Sequence, residues 1–264
     1  MMLTRDRNFA GKQIPGARPY QEDAQGFATL KEGDGGQVEV LLTVLADGMG
    51  GENAGDVASN SVVETFLDYC NDYHTKYGDQ KTPEMLRSAM TAANEALATA
   101  IDKDQNLEGM GCTLLAAMVV DGVLYWISVG DSPLYLYREG KLSQINEDHS
   151  MMPLLRQLVD EGKIYTYELA THPHRNVLRS AMGGDEIELV DSPSAGVPLE
   201  SGDIIIVASD GIQTLNENYI LTSLDRYHDL TAEEITDKLL ADIERAKRPR
   251  QDNASINVIC IPKI

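Results

Sequence analysis

An apolar strand that ends in a carboxylate and a run of glycines constrains this chain more than any other feature. Residues 41–46 are apolar or β-branched and are typical of a buried β-strand. Asp47 follows directly, and Gly48-Met49-Gly50-Gly51 comes next. A buried carboxylate is costly unless a cation meets it, so this strand end predicts a site for a positively charged partner. A hairpin turn is the alternative, but residues 57–70 show helical spacing instead of a second strand.

The same arrangement occurs twice more. Residues 126–129 form an apolar run that leads to Asp131, and residues 204–208 form another that leads to Asp210. Asp121-Gly122, by contrast, lies between two apolar runs and predicts an ordinary hairpin. If the three strands are neighbours in one sheet, their terminal aspartates converge. Converging carboxylates repel unless they share protons or divalent cations, so we favour a metal site over three independent turns.

The charge balance limits the classes of partner. The 264 residues include 22 Lys plus Arg and 42 Asp plus Glu, which gives a net charge of −20. Such a surface repels nucleic acid and anionic membranes, so we expect neither as a partner. The cysteines, Cys70, Cys112 and Cys260, suggest neither a disulfide framework nor a zinc site. Since the chain starts without an apolar signal region, we expect a cytoplasmic protein, and we expect a monomer.

The order of the elements predicts the fold class. The patterns indicate strands at 4–14, 24–30 and 38–46, helices at 57–70 and 82–101, a β-meander over 112–145, two strands within 187–208, helices at 216–224 and 231–246, and a last strand at 255–261. This order predicts an α+β fold with four α/β/β/α layers, in which helix pairs flank a central antiparallel β-sandwich. No repeat or linker divides the chain, so residues 1–264 are predicted to form a single domain. The irregular stretch 163–186 is typical of a functional flap.

Two further features have more than one interpretation. The only dense basic run consists of Arg245, Lys247, Arg248 and Arg250. We prefer to interpret it as favourable charge at a helix C-terminus, and the alternative is attraction of an anionic substrate toward Asp252-Asn253. His149 follows Asp148 at a predicted helix start, where a capping contact is a more common role than a metal ligand or an acid–base group.

An ordered set of short motifs carries a resemblance over essentially the whole chain. In order, they are Arg18-x-x-x-Glu22-Asp23, Asp47-Gly48-Met49-Gly50-Gly51, Gly111-Cys112-Thr113, Gly130-Asp131-Ser132, Asp148-His149-Ser150, Asn176-Val177-Leu178-Arg179, Ser209-Asp210-Gly211 and Asp252-Asn253. The sequence resembles the metal-dependent Ser/Thr protein phosphatases of the 2C type, in their compact bacterial form. The resemblance implies a β-sandwich with two Mn²⁺ or Mg²⁺ ions at one end.

The resemblance also assigns metal-site roles. Asp47 would bridge both ions, Asp210 and Asp252 would hold the first, and the carbonyl of Gly48 would help to hold the second. Asp131, together with Asp210, corresponds to a third metal position.

Other assignments concern water, phosphate and substrate choice. Glu22 and Asp23 would order water near the second ion, and Arg18 matches the phosphate-binding arginine of the family. Residues 151–182 correspond to a mobile flap that shapes substrate choice. Two positions depart from the family pattern: Met49 replaces a histidine of many eukaryotic relatives, and Pro133 replaces the usual arginine.

The chemistry of these residue types agrees with the resemblance. Hard oxygen ligands suit Mg²⁺ or Mn²⁺, and two such ions can lower the pKa of a bridging water for attack at phosphorus. A guanidinium donates a fork of hydrogen bonds to phosphate oxygens. The leading hypothesis is therefore hydrolysis of phosphoserine and phosphothreonine in proteins by a metal-bridged hydroxide. The alternatives are a phosphomonoesterase for other phosphorylated substrates, a non-catalytic regulator that binds phosphoproteins, and a calcium-binding regulator suggested by an incomplete loop near Asp102.

Overall fold

The computed structural model describes residues 3–32, 38–78, 81–169 and 171–263. The strands are β1 (Phe9–Ile14), β2 (Asp23–Glu32), β3 (Val38–Met49), β4 (Gly111–Cys112), β5 (Leu114–Val120), β6 (Val123–Val129), β7 (Leu134–Arg138), β8 (Lys141–Gln144), β9 (Val197–Pro198), β10 (Ile204–Ala208) and β11 (Ala254–Cys260). The α-helices are α1 (Gly51–Tyr77), α2 (Thr82–Lys103), α3 (Met152–Asp160), α4 (Thr166–Leu169), α5 (Glu217–Tyr227) and α6 (Ala232–Arg245).

The strands form two antiparallel sheets. In the first sheet the order is β2-β3-β5-β6-β9, and β4 pairs with the end of β3. In the second sheet the order is β1-β11-β10-β7-β8. Every strand pairing in both sheets is antiparallel, so neighbouring strands end at opposite edges of a sheet.

Alternating side chains divide the strands between two cores. Leu41 and Leu45 of β3 face Ile205 and Val207 of β10 in the core between the sheets. The residues between them point the other way: Leu42 and Val44 pack against α1 and α2, while Ile204 and Ile206 pack against α5 and α6. Both faces of each sheet are therefore covered. The predicted α+β fold of four α/β/β/α layers is confirmed.

Several local predictions are confirmed. Asp121 and Gly122 both have positive φ, as a two-residue hairpin with the twist of its strands requires, and they join β5 to β6. Thr231 caps α6 with its side chain, and the Glu234 side chain accepts from the backbone N–H of Thr231, which completes a capping box. The predicted turn at 32–36 lies largely outside the described residues.

Other boundaries differ from the prediction. β3 continues through Asp47 and Gly48 to Met49, because β4 pairs with this extension. Within 187–208, only Val197–Pro198 and β10 are strands, since the polar stretch before them makes a single bridge between Asp191 and Ser128. None of the helices described is long and apolar enough to cross a membrane.

Candidate metal centre

The aspartates meet at one end of the sandwich because of how the strands run. β3 and β6 lie in the same sheet with β5 between them, so both end at the same edge. β10 lies in the opposite sheet. The three strands are therefore not neighbours in one sheet, which was the condition under which we expected their aspartates to converge. The aspartates converge across the two sheets instead, since Asp47 lies near the end of β3 while Asp131 and Asp210 follow β6 and β10 on the same side of the sandwich.

Asp23 links the sheets. It lies opposite Asp47 in the pairing of β2 with β3, and its side chain is buried. Its Oδ2 accepts a hydrogen bond of 2.7 Å from Oγ of Ser209, which follows β10 in the other sheet. Ser209 Oγ in turn accepts from the backbone N–H of Ser255 at 3.0 Å. Among the described residues, Asp23 Oδ1 is buried and has no hydrogen-bond partner.

A threonine fixes the end of β3. The backbone N–H of Asp47 donates to Thr113 Oγ1, and the backbone N–H of Thr113 donates to the carbonyl of Asp47, both at 2.9 Å. Thr113 Oγ1 also lies 2.8 Å from Oγ of Ser132. This buried chain of hydroxyl groups holds Asp47 and the segment that carries Asp131 in one arrangement.

Gly48 is restricted to glycine by its neighbours. A Cβ atom at this position would lie 2.2 Å from the carbonyl oxygen of Gly55 and 2.5 Å from that of Glu22. The Gly48 N–H donates to the Glu22 carbonyl at 3.1 Å, and Ser59 Oγ donates to the same carbonyl at 2.5 Å. The close packing therefore brings the backbones of Gly48 and Glu22 together beside Asp47.

Asn253 ties the loop that carries Arg18 to the start of β11. Its Nδ2 donates to the carbonyls of Pro15 and Tyr20, each at 2.9 Å, and its Oδ1 accepts from the backbone N–H of Glu22 at 2.8 Å. The adjacent Asp252 accepts a hydrogen bond of 2.6 Å at Oδ2 from Nη2 of Arg18. Arg18 is thereby placed beside the carboxylate cluster, with about half of its side chain exposed.

The cluster shows strong mutual repulsion. Burial raises the pKa of Asp23 and of Asp131 to about 6, and Asp252 and Asp148 respectively add to these shifts. Burial, together with Asp131, Asp252 and Asp23, raises the pKa of Asp210 to about 7. For Asp47, burial and the surrounding aspartates hold the pKa well above its usual range. The ionised forms of these carboxylates are therefore unfavourable unless a cation binds beside them.

The residues present fit divalent cations. The donors are carboxylate and carbonyl oxygens, which Mg²⁺ and Mn²⁺ prefer, and Asp23 Oδ1 has no other partner. Within the described ranges, no three His, Cys, Asp or Glu side chains already stand in an arrangement that could hold one ion. Two contacts oppose such an arrangement. Arg18 donates a hydrogen bond to Asp252 Oδ2, and Ser209 donates one to Asp23 Oδ2, so both carboxylate oxygens already have partners. The individual ligand roles remain predictions.

A groove of about 1120 Å³ opens beside the cluster. Asp131, Asp210 and Asp252 line one part of it, and the buried Tyr135 contributes to its lining. The remaining walls include four arginines, which are Arg156, Arg175, Arg248 and Arg250. The groove therefore combines a carboxylate cluster with an array of cations.

The basic run has two different roles. Arg245 ends α6 and forms an ion pair with Asp242, in agreement with the helix-terminus interpretation. Arg248 and Arg250 instead line the groove two to four residues before Asp252. The alternative interpretation, attraction of an anion, therefore fits these two residues better.

Sequence reasoning missed several supporting residues. It interpreted His149 as a helix cap, but the His149 ring accepts from the N–H of Gly130 at 3.2 Å and holds the turn before Asp131. Ser150 Oγ accepts from the N–H of Met152, the first residue of α3. Ser209, Thr113 and Asn253 also act through hydrogen bonds over long sequence separations. Their only signal in the sequence is membership of the motifs Gly111-Cys112-Thr113, Ser209-Asp210-Gly211 and Asp252-Asn253.

The fold and site define a helix-flanked β-sandwich protein with an acidic centre at one end of its sheets. The sequence profile described as "Protein phosphatase 2C" matches residues 21–248. The chain belongs to the protein phosphatase 2C family, which confirms the resemblance. Arg18 and Asp252 lie just outside the matched range, so their assignments depend on geometry and motif position.

Two curated relatives illustrate the similarity. The chain is 36% identical over 185 residues to the serine/threonine protein phosphatase PstP of Mycobacterium tuberculosis, over 69% of this chain and 34% of that protein. It is 32% identical over 174 residues to the serine/threonine phosphatase stp of Listeria monocytogenes, over 66% of this chain and 67% of that protein. The match thus spans about a third of the length of the mycobacterial relative.

Solved structures extend the likeness. A crystal structure of the M. tuberculosis serine/threonine phosphatase PstP/Ppp has a TM-score of 0.77 and 29% identity, over 99% of this chain and 100% of that chain. The catalytic domain of PstP in complex with two manganese ions has a TM-score of 0.73 and 29% identity, over 96% and 97% of the two chains.

Proposed function

We propose that this protein hydrolyses phosphoserine and phosphothreonine esters in other proteins and requires Mn²⁺ or Mg²⁺. The observation that carries the proposal is the set of aspartates whose pKa values are raised by burial and by one another. Such a cluster favours binding of divalent cations, which would relieve the repulsion. The likeness to serine/threonine phosphatases, one of them in complex with two manganese ions, supports the same reaction.

The motif positions and the geometry together suggest the metal ligands. Asp47, Asp210 and Asp252 would hold the first cation, Asp47 and the Gly48 carbonyl would help to hold the second, and Asp131 with Asp210 would hold a third. When bound, the cations supply Lewis acidity toward phosphate oxygens and lower the pKa of a water molecule.

The other residues of the site position and orient the reactants. Glu22 and Asp23 order water by accepting its hydrogen bonds, and the unpartnered Asp23 Oδ1 is available for that purpose. Arg18 binds the phosphate through its guanidinium fork, after exchanging its present partner Asp252. No protein nucleophile is needed, and the cysteines are not arranged to supply one, since Cys70 and Cys112 are buried.

A graded set of substrates tests the proposal. The protein should hydrolyse a chromogenic phosphate ester with Mn²⁺ and lose that activity with a chelator. It should then act on phosphoserine and phosphothreonine peptides more efficiently than on small phosphate esters. Activity that resists the chelator would contradict the metal requirement, and a preference for small esters would favour the phosphomonoesterase alternative. Binding of phosphopeptides without turnover would indicate a regulator.

We also propose the setting of this activity. The protein acts in the cytoplasm as a monomer within signal transduction, and it removes phosphates that a bacterial Ser/Thr kinase has added. Residues 1–264 serve as one catalytic domain, and residues 151–182 act as the flap. Comparison of phosphoproteomes with and without the gene would identify the substrates and the opposing kinase.

A further inference from the structure

The groove brings arginines from separate parts of the chain next to the carboxylate cluster. Arg156 lies on α3, Arg175 follows α4, and Arg248 and Arg250 lie in the segment between α6 and β11. All four side chains are exposed, and no lysine appears among the described lining residues. In a chain with a net charge of −20, this is a local concentration of positive charge.

These arginines differ from the arginines that serve the fold. Arg138 and Arg245 each form an ion pair with a buried aspartate. Across the described residues, by contrast, Arg156, Arg248 and Arg250 have no carboxylate within ion-pair distance. Arginines that contribute nothing to a buried ion pair and line one groove are available for an anionic ligand.

The groove also contains carboxylates, which must be weighed against its arginines. Asp148 and Glu217 also line it, and Arg156 lies close enough to Tyr135 to oppose their effect on the pKa of the tyrosine. Asp131, Asp210 and Asp252 are the candidate metal ligands. Apart from those three, the lining has four arginines against two carboxylates, so its charge is positive once cations are bound.

The spacing limits how far from the cluster a ligand charge would lie. Arg250 precedes Asp252 by two residues and Arg248 by four, so at about 3.3–3.6 Å per residue their Cα atoms lie at most about 7 and 14 Å from that of Asp252. The segment is shorter than this maximum, because the N–H of Gln251 donates to the carbonyl of Arg248 in a turn. An extended peptide advances about 3.3 Å per residue, so the charges that meet these arginines would lie within about four residues of a phosphoresidue bound at the cluster.

We propose that the groove selects phosphorylated protein segments with acidic side chains within about four residues of the phosphoresidue. Arg156, Arg248 and Arg250 contact these side chains, and the flap residues of α3 form one wall of the subsite. The inference rests on the proposed phosphatase function, whose substrate class it specifies.

Matched peptides test this selectivity. A phosphothreonine peptide with three Glu on one side of the phosphothreonine is compared with the same peptide carrying Gln, and a second pair places these residues on the other side. Each exposed charge pair contributes a factor of about two to five, so we expect about a tenfold advantage in kcat/KM for the acidic peptide of one pair. The advantage should shrink at high salt, because exposed charges are screened.

Surface variants give the matched control. In the double variant Arg248→Gln/Arg250→Gln, the advantage should fall to about twofold, and Arg156→Gln should lower it further. Arg226→Gln is the control, because Arg226 is exposed on α5 and does not line the groove. Equal kcat/KM for acidic and neutral peptides in the wild type, or an advantage that survives in the double variant, would overturn the inference.

A binding measurement separates this inference from the proposed function. Fluorescence anisotropy of the labelled acidic and neutral phosphopeptides is recorded with Mn²⁺ and, separately, with chelator. Preferential binding of the acidic peptide, lost in the double variant, supports the subsite even if no peptide is hydrolysed. Hydrolysis of both peptides without any binding preference would reject the subsite and leave the phosphatase function in place.

Discussion

The two ends of β10 carry aspartates with opposite electrostatic surroundings. Asp203 precedes the strand, is only 1% exposed, and receives two hydrogen bonds from Arg138, from Nε at 2.8 Å and from Nη2 at 2.6 Å. Asp210 follows the strand among other carboxylates, which together with burial raise its pKa, while Arg18 opposes the rise. One strand therefore has an aspartate paired with an arginine at one end and an aspartate among other carboxylates at the other.

The difference shows that the buried charges that stabilise the fold and the buried charges of the candidate metal site lie at opposite ends of the same strand. The guanidinium of Arg138 also binds Glu200 and the carbonyl of Pro198, so this ion pair is complete without any ligand. In the part of the chain that the structure describes, Asp23, Asp47 and Asp210 have no comparable arginine or lysine partner. Their unfavourable charge decreases the stability of the metal-free protein and increases its affinity for divalent cations.

Neutralising one member of the cluster should have the largest effect on activity. Asp210→Asn removes a ligand charge, so we expect kcat/KM for a chromogenic phosphate ester in Mn²⁺ to fall by at least about a thousandfold. The same change relieves repulsion, so the metal-free variant should be at least as stable as the wild type in urea unfolding at pH 8. Asp47→Asn should have the same effects on kcat/KM and on the stability of the metal-free protein.

The other end of β10 provides the control. Asp203→Asn leaves Arg138 without its buried partner and should cost about 3 kcal/mol of unfolding free energy. Its activity per folded molecule should remain close to that of the wild type. If Asp203→Asn lost as much activity as Asp210→Asn, the proposed division between the two ends would be wrong.

The pH dependence of stability should carry the sign of the raised pKa values. Asp23, Asp131 and Asp210 bind protons more tightly in the folded protein, with pKa values of about 6 to 7, than in the unfolded chain, where the usual value is about 3.9. In chelator, the unfolding free energy should therefore fall as the pH rises from about 4 to about 7. Asp23 alone, with a shift of about two units, contributes about 3 kcal/mol to this fall.

Urea unfolding at pH 5 and pH 8 measures this effect. Asp23→Asn is the matched variant, and it should have a smaller difference between the two pH values because it lacks one titrating group. Mn²⁺ should stabilise the wild type more at pH 8 than at pH 5, since the cation competes with protons. A metal-free protein that gained stability between pH 5 and pH 8 would contradict the electrostatic account.

The sequence predicted the layers well because their signals are local. Alternation in β3 and β10, the hairpin at Asp121-Gly122 and the capping box at Thr231 each depend on a few neighbouring residues. Motif positions also identified the aspartates that meet at one end of the sandwich. These features follow from hydrophobic periodicity and turn chemistry, both of which are visible in the amino-acid sequence.

The partners of the site residues could not be predicted, because they come from distant parts of the chain. Ser209 is separated from Asp23 by 186 positions, and Arg18 from Asp252 by 234. Which sheet contains β10 is likewise a tertiary property, which the pattern of a single strand does not determine. The groove depends on three segments that have no mutual pattern in the sequence.

Removing the Ser209 hydroxyl should have an intermediate effect. Ser209→Ala deletes the hydrogen bond to Asp23 Oδ2, and a bond to a charged acceptor contributes about 2 kcal/mol. Because this bond stabilises the ionised carboxylate, the loss of unfolding free energy should be larger at pH 8 than at pH 5. Urea unfolding at both pH values measures it. Equal losses would mean that Asp23 has the same protonation state at both pH values.

Arg18→Ala should have the smallest effect on stability, and it sharpens the comparison of paired arginines. The ion pair of Arg18 with Asp252 is about half exposed, so its loss should cost less than about 1 kcal/mol of unfolding free energy. Arg138→Ala leaves Asp203 buried without its cationic partner, and this variant should cost about 3 kcal/mol. If Arg18 binds phosphate, Arg18→Ala should raise KM for a phosphopeptide about tenfold, and Arg18→Lys should restore part of it. Steady-state kinetics with both variants tests this role, because an unchanged KM in Arg18→Ala would mean that the guanidinium serves only Asp252.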